Sequence, residues 1–179
     1  IEALLVSSDH MAVLFRRSRH VAEYPGCYCC PGGHPEPKHI LRTSEWPLKE
    51  QADWFGHVQS SIVVSEMFNS AVDEIHEELG LDRSLLTNVG LAGIVRNSKT
   101  LKPDLIFIVT TPLTSSEIQI IHSKRTQAEA FESETDTPLL FVRLEPTSVH
   151  EVLTTMSVTP PSQACLTMGL SWAHKSGRQ

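Results

Sequence analysis

At 179 residues the chain can bury a real core in one domain, and its 40% hydrophobic and 20% charged residues are those of an ordinary soluble globular protein. The net charge is -6, with 15 Lys and Arg against 21 Asp and Glu. That balance argues against tracking along nucleic acid or an anionic membrane surface, which needs cations in excess. No apolar run is long enough to span a bilayer.

A small anionic ligand needs only a local cluster of donors, and Arg16-Arg17-Ser18-Arg19 is such a cluster. The chain opens on Ile1, already inside a strand-like pattern, so an N-terminal portion of the natural protein is expected to precede it. Cys27, Cys29 and Cys30 lie within four residues and Cys165 far away, unlike a secreted disulfide framework; the expected setting is a reducing cytoplasm. Cys27-Tyr28-Cys29-Cys30 contains a C-x-x-C followed by His34 and His39. A strand there turns Cys27 and Cys30 to opposite sides, and a second ligand pair is missing, which argues against a structural zinc.

Ile1 to Ser7 and Met11 to Arg16 read as two strands around a Ser8-Asp9-His10 turn. Val21 to Pro25 is a loop and Cys27 to Cys30 a short strand. Pro31-Gly32-Gly33-His34-Pro35-Glu36-Pro37 is irregular, since its glycines free the backbone while its prolines fix it. Residues 38–58 read as an insertion. Ser60 or Ser61 opens a helix that runs to Leu79 and stops at Gly80. Its buried stripe is Val64, Phe68, Ala71, Ile75 and Leu79. Val89 to Val95 and Leu105 to Thr110 read as strands, Ser115 to Ile121 as a short helix, and Gln127 to Asp136 as an acidic loop. A strand from Leu139 to Leu144 and helices over Ser148 to Thr155 and Ser162 to Ala173 complete an α/β layer architecture.

The chemistry concentrates on the long helix. At about 100° per residue, Glu77 and Glu78 fall roughly 60° and 40° to either side of Glu74. Three like charges on one turn near a helix C-terminus destabilise it, and a divalent cation relieves that penalty. Carboxylate oxygens suit Mg²⁺ or Mn²⁺. Taken alone, E-x-x-E-E reads as a solvated acidic face.

The glycine loop upstream changes that weighting. Pro31-Gly32-Gly33-His34-Pro35-Glu36 and Asp73-Glu74-Ile75-His76-Glu77-Glu78-Leu79-Gly80-Leu81 resemble the two halves of a Nudix box, G-x5-E-x7-R-E-U-x-E-E-x-G-U with U apolar. There are three departures. An insertion of 26 residues separates the halves, Asp73 stands where the family has Arg, and Glu66 precedes position 73 by seven residues where the family spacing is eight. The resemblance implies a single Nudix domain over 1–179, a mixed sheet sandwiched between α-helices, and Mg²⁺-dependent cleavage of a diphosphate.

A narrower similarity runs from Phe15 to Gly26 and from Pro31 to Pro37, toward the animal UDP-glucose and UDP-galactose diphosphatase branch. It implies hydrolysis of a nucleotide-sugar to UMP and sugar 1-phosphate, with an N-terminal extension that this chain lacks. Carried over by position, Glu74 and Glu78 are the implied metal ligands, with Glu77 supporting and the Gly32 carbonyl completing the shell. Arg17, Ala22, Cys29, His34, Glu36 and Ser162 match positions that line the substrate site. Relatives have an acid at the position of Cys29. The general base stays open between Glu77 and the loop acids Glu129, Glu132 and Glu134. Another diphosphate substrate (ADP-ribose, a dinucleotide or coenzyme A) and a non-catalytic nucleotide-binding module stay open as well. The oligomeric state is not legible.

Overall fold

A computed structural model describes residues 1–35, 60–98, 100–128 and 139–177. The insertion expected at 38–58 and most of the acidic loop therefore lie outside the described residues. Six strands form one mixed sheet: β1 (Glu2–Val6), β2 (Met11–Arg16), β3 (Tyr28–Cys29), β4 (Thr87–Arg96), β5 (Pro103–Thr110) and β6 (Leu140–Arg143). The order is β3-β2-β1-β5-β4, with β6 also pairing to β2. β1 runs parallel to β5 and antiparallel to β2, so the sheet is mixed at its centre. Among the described residues four α-helices flank it: α1 (Ser60–Leu79), α2 (Ser115–Ala128), α3 (Pro146–Thr155) and α4 (Pro160–Lys175).

Strand alternation assigns each side chain to a layer. Leu4, Val6, Ala12, Leu14, Ile106 and Ile108 face one core, which α3 and α4 close with Val149, Val152, Cys165 and Leu166. Ala3, Leu5, Val13, Phe15, Phe107 and Val109 face the other, closed by Ala71, Ile75 and Leu79 of α1 and Ile118 of α2. Covering both faces explains why the central strands are continuous apolar runs instead of alternating ones. Each fully buried Leu or Ile in these layers contributes roughly 1.5–3 kcal/mol.

The buried stripe of α1 starts later than its periodicity predicts. Val64 is 55% exposed, whereas Ala71, Ile75 and Leu79 are fully buried. Among the described residues nothing covers the first turns of α1, so the repeat continues there without a surface to pack on. The helix ends as expected, with Gly80 in the left-handed region at φ 76° and its amide donating to the His76 carbonyl at 2.9 Å.

α2 runs to Ala128, past the expected Ile121. Arg125 explains part of the extension: its guanidinium donates to the His76 carbonyl at 3.1 Å and satisfies the last turn of α1. α4 begins at Pro160, which places Ser162 inside the first turn and not at the cap; Thr159 holds the cap position.

Candidate active site

The Pro31–Pro35 segment crosses the end of α1, and its glycines bring backbone against carboxylate. The Gly32 amide donates to Glu78 Oε2 at 3.0 Å. A Cβ on Gly33 would lie 2.7 Å from the Glu74 carboxyl carbon, so any other residue here would displace that carboxylate. The loop itself is anchored by the backbone of β1, through an Ala3 amide to Pro31 carbonyl bond of 2.7 Å and an isolated antiparallel bridge from Glu2 to Gly32. Two sequence segments with 40 residues between Gly33 and Glu74 thus meet as one unit.

Several acids crowd this junction. Burial pushes the Glu78 carboxyl well above its ordinary value, and Glu74 and Glu2 push it further; the Gly32 amide and Arg17 offset this only in part. Glu2 is raised to about 7, chiefly by burial, against the Ser162 hydrogen bond and Arg17. A desolvated group of carboxylates, with Glu78 held by the Gly32 amide, is a fitting seat for a hard divalent cation, whose charge would remove the penalty. Asp73 turns away from this group to Arg83, 2.9 Å distant, and Glu77 is exposed on the outer side.

A cleft of about 410 Å³ opens beside the glycines. Glu2, Arg17, Gly32, Gly33 and His34 line it together with Asn97 and Lys102 of the β4–β5 connection and Asp104 of β5. Arg17 and Lys102 bring cations beside the carboxylates, a pairing suited to an anionic ligand that carries its own divalent ion. The Arg17 stem is held by its Nε, which donates to the Glu23 carbonyl at 3.1 Å. A larger cavity of about 590 Å³ lies between β6, α3 and α4, lined by Leu144, Pro146 and Leu170. It is remote from the glycine–carboxylate junction, and chemistry favours the smaller cleft.

The expected site residues divide accordingly. Arg17, Gly32 and His34 line the cleft, and Glu74 and Glu78 abut its glycines. Ala22 is exposed on the loop that supplies Glu23 and Tyr24 to the wall. Cys29 is buried, in the core layer of α1. Ser162 is fully buried: its hydroxyl donates to Glu2 Oε2 at 3.0 Å and accepts from the Cys30 amide at 2.9 Å. Glu36 and the loop acids Glu129, Glu132 and Glu134 lie outside the described residues.

Sequence reasoning missed Glu2 and the β4–β5 wall. Glu2 had a signal, as one acid opening an apolar strand with the parity of Leu4 and Val6. The wall had none, because Asn97, Lys102 and Asp104 look like ordinary connection residues until the sheet closes.

No family model matches the chain. Nudix hydrolase 9 of Arabidopsis thaliana is 34% identical over 131 residues, 73% of this chain and 41% of that protein. The Homo sapiens uridine diphosphate glucose pyrophosphatase NUDT22 is 35% identical over 120 residues, 66% of this chain and 37% of that protein. The chain thus spans less than half the length of these relatives. A solved NUDIX hydrolase from Alicyclobacillus acidocaldarius superposes with TM-score 0.52 at 10% identity, over 96% of this chain and 91% of that one.

Proposed function

The chain belongs to the Nudix superfamily, and on that premise we propose that it hydrolyses a nucleoside diphosphate-sugar, UDP-glucose or UDP-galactose, to UMP and sugar 1-phosphate in the presence of Mg²⁺. The observation that carries the reading is the junction of Gly32 and Gly33 with Glu78 and Glu74 beside a cleft lined by Arg17 and Lys102. The uridine preference is supported by the likeness to the human pyrophosphatase.

Glu74 and Glu78 would hold Mg²⁺, with the Gly32 carbonyl in reach and Glu77 in a supporting place. The cation supplies charge neutralisation at the diphosphate oxygens and activation of water. Arg17 binds a phosphate through its planar fork, and its backbone tether presets that fork. The Gly32 amide fixes the Glu78 carboxylate beside the glycine loop that lines the cleft. His34, exposed at the mouth, is placed for sugar or phosphate hydrogen bonds. Proton removal from the attacking water is assigned to Glu77 or to an acid of the 129–134 loop.

The test is turnover of UDP-glucose, UDP-galactose, ADP-ribose, a dinucleotide and coenzyme A with Mg²⁺, with products identified. UMP and sugar 1-phosphate are expected from the UDP-sugars. Glu78→Gln is expected to lower kcat/KM about a thousandfold, in line with losing several kcal/mol of metal stabilisation. Turnover of another diphosphate alone would sink the uridine assignment. Tight nucleotide binding without turnover would make the domain a binding module.

A further inference from the structure

We propose that Glu2, Cys30 and Cys165 form a second cation site, for a borderline or soft divalent ion such as Zn²⁺, distinct from the Glu74–Glu78 group. One carboxylate oxygen and the two sulfurs lie within 4.8 Å of one another. Three protein ligands around Zn²⁺, with Zn–S about 2.3 Å and Zn–O about 2.0–2.2 Å, require ligand separations of about 3.4–3.8 Å, so shifts of about 1 Å close the set. The C-x-x-C of the sequence is not the pairing. Strand parity sends Cys29 to the α1 core and Cys30 to the α4 core, where Cys165 meets it from the helix.

The surroundings hold the three donors in place. Cys30 directly follows β3, and its amide is fixed by the Ser162 hydroxyl at 2.9 Å. Ser162 lies one helical turn before Cys165 on α4 and holds Glu2 Oε2 at 3.0 Å; the Thr159 hydroxyl donates to Ser162 at 2.8 Å. Packing alone would be served by small apolar residues at all three positions. Instead a carboxylate reaches two core thiols, and the Ser162 hydroxyl, the Ile1 ammonium and Arg17 offset its burial only in part. Two thiolates and a carboxylate select a zinc-like ion over Mg²⁺.

Access and chemistry agree. Glu2 lines the cleft while its carboxylate lies within 4.8 Å of both buried sulfurs, so it links the cleft to the thiols. Both thiols are buried, which makes them poor nucleophiles and disfavours a redox pair. A bound cation would displace both thiol protons to solvent. Three protein ligands would leave a fourth position of a tetrahedral ion unfilled by them, the pattern of an exchangeable rather than a closed site.

The test is titration of chelator-treated protein with Co²⁺, read by thiolate-to-cobalt charge-transfer absorption in the near ultraviolet. Carboxylate ligation at Glu74 and Glu78 is silent in that band. The band is expected in the unmodified protein, in Glu78→Gln and in Cys27→Ser, and is lost in Cys165→Ala. Glu2→Gln keeps both thiols and nearly the same volume, and is expected to need at least tenfold more Co²⁺ for half-saturation. No band in the unmodified protein, a band intact in Cys165→Ala, or one lost in Cys27→Ser would overturn the proposal. Should Cys165→Ala fail to fold, an unchanged midpoint in Glu2→Gln would overturn it instead.

Discussion

Gly33 carries the constraint that bears most directly on the metal-ligand face, since a Cβ there would meet the Glu74 carboxylate. Its missing side chain is what lets the loop backbone lie on Glu74. Gly33→Ala must push either the loop or the carboxylate aside, and half an ångström of displacement is enough to degrade a metal site. We expect kcat/KM at limiting Mg²⁺ to fall at least about tenfold, with part of the loss recovered at high Mg²⁺. A Mg²⁺ titration of activity checks this, and an unchanged Mg²⁺ dependence would refute it. The glycines and Glu74, Glu77 and Glu78 were legible as residues, because their spacing is local and their chemistry restricts the choice. Their roles were less so. Ser162 read as a helix start and a substrate-site position but is a buried hub between β1, β3 and α4, and nothing near it in sequence points to Glu2 as its acceptor.

Among the elements, the β1–β2 turn does more than reverse the chain. Asp9 accepts from the Ser115 amide at 2.8 Å, the Ser115 hydroxyl at 2.6 Å and the Ser7 hydroxyl at 2.6 Å, and so docks the start of α2 onto the hairpin. Partial burial pushes the Asp9 carboxyl up, but the Ser115 and Ser7 hydrogen bonds outweigh it and bring it down to about 2. A carboxylate with a depressed pKa contributes stability above its unfolded value of 3.8, and that contribution is lost as pH falls through about 2. Asp9→Asn is therefore expected to cost about 1–2 kcal/mol at neutral pH and almost nothing near pH 2, measured by urea unfolding at several pH values. A penalty independent of pH would show that shape, not charge, holds the turn. Most elements were predictable to within a few residues from periodicity and turn chemistry. The length of α2 was not, since its last turns are drawn into helix partly by the bond from Arg125 to the end of α1.

For the molecule as a whole, the fold holds a group of acids at the cost of stability. Glu78 is raised above its unfolded value of 4.5 by burial and by its neighbours, so the folded protein binds more protons than the unfolded chain. Without a divalent ion, stability is thus expected to fall as pH rises above about 4.5. An ion bound only by the folded state reverses the loss. Mg²⁺ at a hundred times its Kd would add about 2.7 kcal/mol, or about 5–10 °C in Tm for a domain of this size. Calorimetry at neutral pH checks it, with Glu78→Gln expected to have the higher Tm without Mg²⁺ and no response to it. A Mg²⁺ shift retained in Glu78→Gln would move the cation elsewhere.

The amino-acid sequence by itself determined the layer architecture and the acidic helix face. Continuous apolar strands demand cover on both sides, and a three-to-four-residue period places the carboxylates on one turn beside the buried stripe. Those are short-range consequences of backbone geometry, readable without knowing what packs where. Only the tertiary structure decided which distant groups meet: Gly32 against Glu78, Glu2 against Ser162, Cys30 against Cys165, and the β4–β5 connection with Arg17 in one cleft. The reason is physical. Strand parity fixes the face on which a side chain lies, but sheet order and helix docking fix its neighbours, and these follow from burying both cores at once.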